Sequence, residues 1–479
     1  MKQDNIQIQI NDAVAGNRAY VHNDPYHLEY HLMPPVGLAN DPNGLIYFKG
    51  TYHIFFQWNP FGTTHGYKAW GHYTSTNLID WRLEPAALKP EAWYDKNGCY
   101  SGSAIEHDGV LYLFYTGNVK DAQDQRSTYQ CLAVSEDGID FDKKGPVLHL
   151  PEGYTPHFRD PKVWKSGNEW LMILGAQNTS LKGEAVLARS ENLTDWEFIG
   201  PVAGNDMNGL RDFGYMWECP DLFPLSDKDV LIVCPQGLEA AGDDYHNLFQ
   251  AGYFIGEFDS SNHTFQHGSF AELDKGFDFY APQTFTDGSG RRILLGWMGM
   301  TDDQEQNHPT IRNNWIHALT IPRALEIRNG VLVQQPVTEL KKLRGHKKHY
   351  SKLELEKDVA FREVIAPMSE MLLTFTRPVE EAFEMDIRNT LNISYVANRL
   401  TVERRTFEGT DTEQRTFSLD LLSELQIFVD RSSVEIFVNG GETVVTSRYF
   451  PTDDDAVNIR GHMHFDLSVW EIESGRVDI

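Results

Sequence analysis

Three carboxylates stand out by their neighbours. Asp41 lies in Asn40-Asp41-Pro42, Asp160 in Arg159-Asp160-Pro161, and Glu218 between Trp217 and Cys219. Either aspartate alone reads as a turn former, because Asp-Pro sequences make tight turns with no chemistry attached. Glu218 sits in apolar company, where a carboxylate is costly unless its charge is held by something. The three also share a register. The segments NDPNGLIYF, YSGSAIEHD, RDPKVWKSG, ECPDLFPLS and YAPQTFTDG carry Asp41, Ser101, Asp160, Glu218 and Tyr280, with separations of 60, 59, 58 and 62 residues. Brought together, the acids would have only Arg159 as an evident cation. Their repulsion should raise at least one pKa and keep that carboxyl protonated as a general acid.

The elements that could bring them together are short strands. Runs of β-branched and aromatic residues alternate with Gly, Asp, Asn and Pro turns, and aromatics make up 12 % of the chain. Five apolar strands recur behind the five segments: TYHIFFQW, VLYLFYTG, EWLMILGA, DVLIVCPQ and RRILLGWM. STNLIDW (75–81), SEDGIDF (135–141) and SENLTDW (190–196) echo the same period. A four-stranded unit repeated five times is a five-bladed β-propeller. Its innermost strands start at one end of a central channel, so the five positions converge on one axis. The expected fold is therefore all-β. An N-terminal extension (1–25) leads into a propeller (26–338), then a charged linker (339–357). The period is lost after that, and 358–479 reads as an antiparallel β-sandwich that supports the propeller.

Composition excludes several partners. Lys and Arg total 42 against 69 Asp and Glu, a formal charge of −27, which offers no footprint for nucleic acid or an anionic membrane. No run approaches the ~18 apolar residues of a membrane span. The first twenty residues lack the apolar stretch of a signal peptide, so a cytoplasmic location is expected. Cys99, Cys131, Cys219 and Cys234 are too scattered for a zinc site and read as free buried thiols. His27 and His31 have the spacing of a helical metal pair but no convincing third ligand, so they read as solvated or packing side chains. Ser101 lacks the G-x-S-x-G context of a nucleophile and reads as a polar ligand.

Seven motifs in order, NDPNG (40–44), FFQWNP (55–60), YSGSA (100–104), FRDP (158–161), WECPDLF (217–223), YAPQTF (280–285) and DRSSVEIFVNGG (430–441), resemble glycoside hydrolase family 32 across nearly the whole chain. One departure is Leu38-Ala39 before the first motif, where the family often has Trp-Met. The resemblance implies a retaining β-fructofuranosidase. Asp41 would be the nucleophile, Glu218 the acid and base, and Asp160 the transition-state stabiliser, with no metal or organic cofactor. A retaining pair is held about 5–5.5 Å apart. It further implies that Asn40, Gln57, Tyr100, Ser101 and Arg159 bind the fructosyl ring, while Trp70, Tyr280 and Trp297 serve as pocket walls. The substrate it implies is a small sugar, sucrose 6-phosphate or sucrose. The GTTHGYKAWGHY segment (62–73) is similar to the form in intracellular bacterial enzymes acting on the phosphate, and His65 and Lys68 in it are candidate phosphate ligands. A fructan hydrolase or fructosyltransferase is the alternative within the fold. A non-catalytic sugar-binding propeller would not need Asp41 and Glu218 together.

Overall fold

The computed structural model describes residues 5–478 except 303, 357, 358, 380, 381, 410, 453 and 476. Residues 1–4 of the expected extension, 357 in the expected linker, and 358 and 479 of the expected sandwich lie outside the described residues. Five sheets form the propeller. Their innermost strands are Gly37–Phe48, Cys99–His107, Tyr154–Ser166, Met216–Leu225 and Tyr280–Thr286, each followed outward by three antiparallel partners. Each innermost strand contacts the next, and the fifth returns to the first. Extra short strands finish the ring: Trp315–Ile316 pairs with the start of the first blade, and Val477–Asp478 pairs with its outer strand.

The echo motifs turn out to be one turn used three times. Ser75, Ser135 and Ser190 accept from the backbone N–H of Leu78, Gly138 and Leu193, and Asn77, Asp137 and Asn192 accept from the N–H groups at 80, 140 and 195. These side-chain bonds replace the backbone partners a tight turn forfeits.

Every innermost strand carries one extra residue at the same place. Ala39 pairs with Trp58 and Pro42 with Phe56; the corresponding steps are Cys99 to Gly102, Arg159 to Lys162, Glu218 to Asp221 and Tyr280 to Gln283. Such β-bulges bend a strand and re-aim its side chains. They also tolerate proline, which, with these innermost strands at the edges of their sheets, explains Pro161, Pro220 and Pro282. The bulges correct the equivalence expected from sequence. Arg159, Glu218 and Tyr280 sit at the bulge start, Asp160 one residue on, and Asp41 and Ser101 two residues on. The three acids thus occupy three successive positions of one repeated distortion.

One expected boundary differs, that of the linker, and the extension has a structure of its own. The extension contains a helix, Asn5–His22, with Ile6, Ile10 and Val14 four residues apart on its inner face. Ile10 and Val21 are almost fully buried, which ties it to the first blade with about 1.5–3 kcal/mol per side chain. The charged linker is largely a strand, Arg344–Leu355, paired with Met463–Ile472 at the edge of the sandwich. Its polar, mostly half-buried or exposed residues suit an edge, and Arg344 and Lys347 lie over the ring of Trp470.

The sandwich consists of two six-stranded sheets around its own apolar core. It is bolted to the propeller by buried charge. His31 bonds Asp430 at 2.8 Å and Glu435 at 2.9 Å, while Arg323 pairs with Glu435 at 2.5 Å and Asp274 at 3.1 Å, all fully buried. His31 is therefore neither solvated nor a simple packing residue, and residues 23–36 are irregular rather than helical. Burial alone would lower its pKa, but the two carboxylates outweigh that and raise it above 6.5. A raised folded pKa means that the stabilisation is complete below about pH 6.5 and is lost as pH rises through the folded value. His31→Leu leaves two carboxylates without this cation and should cost about 3–5 kcal/mol. Thermal denaturation from pH 5.5 to 9 should show a stability decline in the parent that is flattened in the variant.

Candidate active site

The bulges open on a cavity of about 260 Å³ lined by residues of all five blades. Asp41 is fixed at both oxygens: Asn40 Nδ2 donates to Oδ1 at 2.9 Å and Ser101 Oγ donates to Oδ2 at 2.5 Å. One orientation of the carboxylate is thereby selected. Asp160 has a left-handed backbone (φ 64°), and its N–H donates to Thr116 Oγ1. Its Oδ2 accepts from the backbone N–H of Cys219 at 3.0 Å. Cys219 shares the left-handed conformation (φ 49°), and its Sγ lies 3.7 Å from Asp160 and 4.0 Å from Asp41. Such backbone costs of order 1–3 kcal/mol persist where surroundings over-determine them.

Glu218 is the most heavily bonded of the three. Arg159 donates to its Oε1 from Nε and Nη2 at 2.9 and 2.7 Å. Tyr280 and Gln236 donate to Oε2 at 2.7 and 2.6 Å. Gly175 lets this strand close in, since a Cβ there would meet the Trp217 carbonyl at 2.1 Å.

These contacts decide where the proton sits. Burial would raise the pKa of Glu218, but Arg159, Tyr280 and Gln236 together hold it below the usual carboxylate value. Asp160 is pushed up to about 7 by burial; Arg159 opposes this, whereas Glu218 and Asp41 reinforce it. The raised group is thus Asp160, whereas the resemblance assigns the acid's role to Glu218. The reason is geometric: Arg159 follows its bulge toward Glu218 instead of pairing with its sequence neighbour. The group titrates as a unit. It holds one dissociable proton up to about pH 7 and loses it above. Chemistry that needs that proton should therefore weaken on the alkaline side, so kcat/KM is expected to fall tenfold per pH unit above about 7. A profile flat to pH 9 would contradict this.

The remaining expected residues divide. Asn40, Gln57, Tyr100, Ser101, Arg159, Tyr280 and Trp297 all line the cavity. Gln57 donates to the Cys99 carbonyl at 2.8 Å. Tyr280 is more than a wall, because its hydroxyl holds Glu218. Trp297 is a wall with a buried indole N–H that has no acceptor among the described residues. Trp70 does not reach the cavity. It lies on the third strand of its blade, wholly buried against Phe55 and Tyr115, with its N–H on the Tyr100 carbonyl. Its ring turns into the interior of the blade instead of toward the axis, so it serves as blade core.

His65 and Lys68 do border the cavity. Lys68 Nζ donates to Asn40 Oδ1 and lies 2.8 Å from His65 Nδ1, and burial lowers its pKa to about 8. His65 and His317 each bond Oε1 of Glu305, at 2.8 and 2.7 Å. Sequence reasoning missed Thr116, Cys219, Gln236, Glu305 and His317. Cys219 alone carried a signal, as the residue after Glu218 in the shared register.

The arrangement combines an oriented carboxylate, a second acid able to exchange a proton, and a buried third carboxyl, all around a funnel walled by tyrosine and tryptophan. That is the equipment of a glycosidase. Residues 31–336 match the glycosyl hydrolases family 32 N-terminal domain, and residues 339–471 match the glycosyl hydrolases family 32 C-terminal domain. The chain belongs to glycosyl hydrolases family 32. It is 50 % identical over 454 residues to a sucrose-6-phosphate hydrolase of Bacillus subtilis, covering 94 % of this chain and 95 % of the relative. It is 43 % identical to a sucrose-6-phosphate hydrolase of Salmonella typhimurium, with 95 % of each covered. Among solved structures, a sucrose-6-phosphate hydrolase from Lactobacillus gasseri superposes with a TM-score of 0.88 at 32 % identity, covering 97 % of this chain and 96 % of that one. A Bombyx mori family 32 beta-fructofuranosidase gives 0.87 at 33 % identity, with 99 % of each covered.

Proposed function

We propose that this chain is a retaining β-fructofuranosidase that hydrolyses sucrose 6-phosphate, and sucrose less well, by double displacement through a fructosyl-enzyme. The observation that carries the chemistry is the convergence of Asp41, Asp160 and Glu218 on one cavity. Asp41, oriented by Asn40 and Ser101, attacks the anomeric carbon of the fructosyl unit. Glu218 protonates the departing oxygen and then deprotonates the incoming water. Asp160 accepts hydrogen bonds from fructosyl hydroxyls. Those bonds favour its ionised form, so binding moves the shared proton from Asp160 to Glu218, where the leaving oxygen needs it.

The phosphorylated substrate is favoured by the long, high-identity matches to enzymes of that name. Such a substrate is used where sugar is phosphorylated during uptake, which agrees with the cytoplasmic location expected from the sequence. Among the described residues no helix is long and apolar enough to cross a membrane. The experiment is kcat/KM on sucrose 6-phosphate, sucrose and inulin side by side. A clear preference for the phosphate supports the reading. Equal turnover of sucrose makes the enzyme an invertase, and a preference for inulin makes it a fructanase.

A further inference from the structure

Around the cavity, basic groups fall into two sectors: His65, Lys68, Arg126 and Arg159 line it, while His317 and His157 stand behind them, joined through Glu305 and Arg159. Between the fifth and first blades, Lys68 is engaged by Asn40 and His65, and both His65 and His317 by Glu305. These groups adjoin the nucleophile's neighbour and already have polar partners. Between the second and third blades stand Arg126 and His157. Arg126 opens the strand Arg126–Ser135, half-buried at the cavity, with its guanidinium 5.9 Å from the centre of the Tyr100 ring. It forms no ion pair with a carboxylate among the described residues. Of the two arginines lining the cavity, Arg159 is paired with Glu218, which leaves Arg126 as the one whose charge no described carboxylate neutralises.

His157 is exposed beside it, and its Nδ1 lies 3.0 Å from Arg159 Nη1. A guanidinium only donates, so Nδ1 accepts and a neutral ring must carry its hydrogen on Nε2. Partial burial of the ring, with Arg159 and Arg126 close by, lowers the pKa of His157 to about 4, so that neutral form prevails. The sector therefore offers one fixed charge and one neutral N–H donor.

The leaving group belongs on this side. Glu218 must reach the departing oxygen, and the arginine bonded to Glu218 Oε1 is the one bonded to His157. A sugar leaving past Glu218 passes Arg159 toward His157 and Arg126. We propose that Arg126 and His157 form the subsite for the phosphoryl group of the departing glucose 6-phosphate unit, a phosphomonoester dianion. This rests on the phosphosucrose reading above and moves the anion site away from His65 and Lys68. A dianion approaching three carboxylates meets repulsion that a dedicated cation must offset, and arginine's planar fork matches phosphate geometry.

The test compares parent, Arg126→Gln, Arg126→Lys and His157→Ala in kcat/KM on sucrose 6-phosphate and on sucrose. For Arg126→Gln the ratio of the two should fall about 100-fold, with Arg126→Lys recovering part of it and His157→Ala losing about tenfold. Inhibition by glucose 6-phosphate should weaken in step, whereas inhibition by glucose should not. A high parent ratio that survives Arg126→Gln overturns the subsite alone. A parent ratio near one overturns the phosphosucrose reading and the subsite with it. Equal losses on both sugars would show that Arg126 merely supports Tyr100, which also overturns the proposal.

Discussion

Asp41→Ala should lower kcat on sucrose 6-phosphate by about five orders of magnitude, because the fructosyl-enzyme has no other group to form on. The neighbouring carboxylates cannot substitute. Asp160 is turned to the Cys219 N–H, and Glu218 is held by Arg159, Tyr280 and Gln236. Folding should be unaffected, since among the described residues Asp41 bonds only Asn40, Ser101 and a distant thiol at the cavity wall. Added azide, a small anion able to enter the space left by the carboxylate, should restore part of the rate and give a fructosyl azide of inverted configuration. Near-normal turnover, or the absence of any azide product, would remove Asp41 from the nucleophile's role.

Glu218→Gln should lower kcat by about three to four orders of magnitude on a sugar leaving group. The amide keeps the size of the side chain but cannot deliver a proton. The loss should depend on the leaving group: a fructoside with an acidic phenol as aglycone needs little protonation, so its first step should recover and deglycosylation should become limiting. A burst of phenol followed by a slow steady state is the expected trace. Equal losses on both substrates would point to a structural effect through Arg159.

Much of the architecture was legible because a propeller writes its repeat into the chain. The five openings and the five apolar strands behind them all fall on the innermost pairs of the blades. The serine turns were visible as an echo before their hydrogen bonds were known. What sequence spacing blurred was a matter of single residues. The separations of 60, 59, 58 and 62 suggested five equivalent positions with some slack, but the slack is the bulge, which places Asp41 and Asp160 at different steps of the same distortion. Trp70 was misleading for a related reason. Motif content shows that an aromatic is near the site in sequence, not whether its ring turns toward the axis or into the interior of the blade. The proton on Asp160 was unreadable because it depends on the direction Arg159 takes after its bulge. The charged segment at 344–355 looked like a linker because an edge strand with mostly half-buried or exposed residues has little apolar alternation to display.

The sandwich's signature motif has a role that composition could not supply. Asp430 and Glu435 bind His31 ahead of the first blade, and Glu435 also binds Arg323 in the fifth. The two ends of the propeller ring are thus held by one buried network that includes the second domain, consistent with the supporting role expected for the sandwich.

The central claim is a double displacement at Asp41, and stereochemistry tests it most directly. Sucrose hydrolysis in the presence of methanol, followed by proton NMR, captures the first-formed product before fructose can equilibrate. Two displacements at the anomeric carbon predict methyl β-fructofuranoside, the configuration of the substrate. Methyl α-fructofuranoside would mean a single displacement by solvent, with Asp41 acting as a base, and would contradict the account.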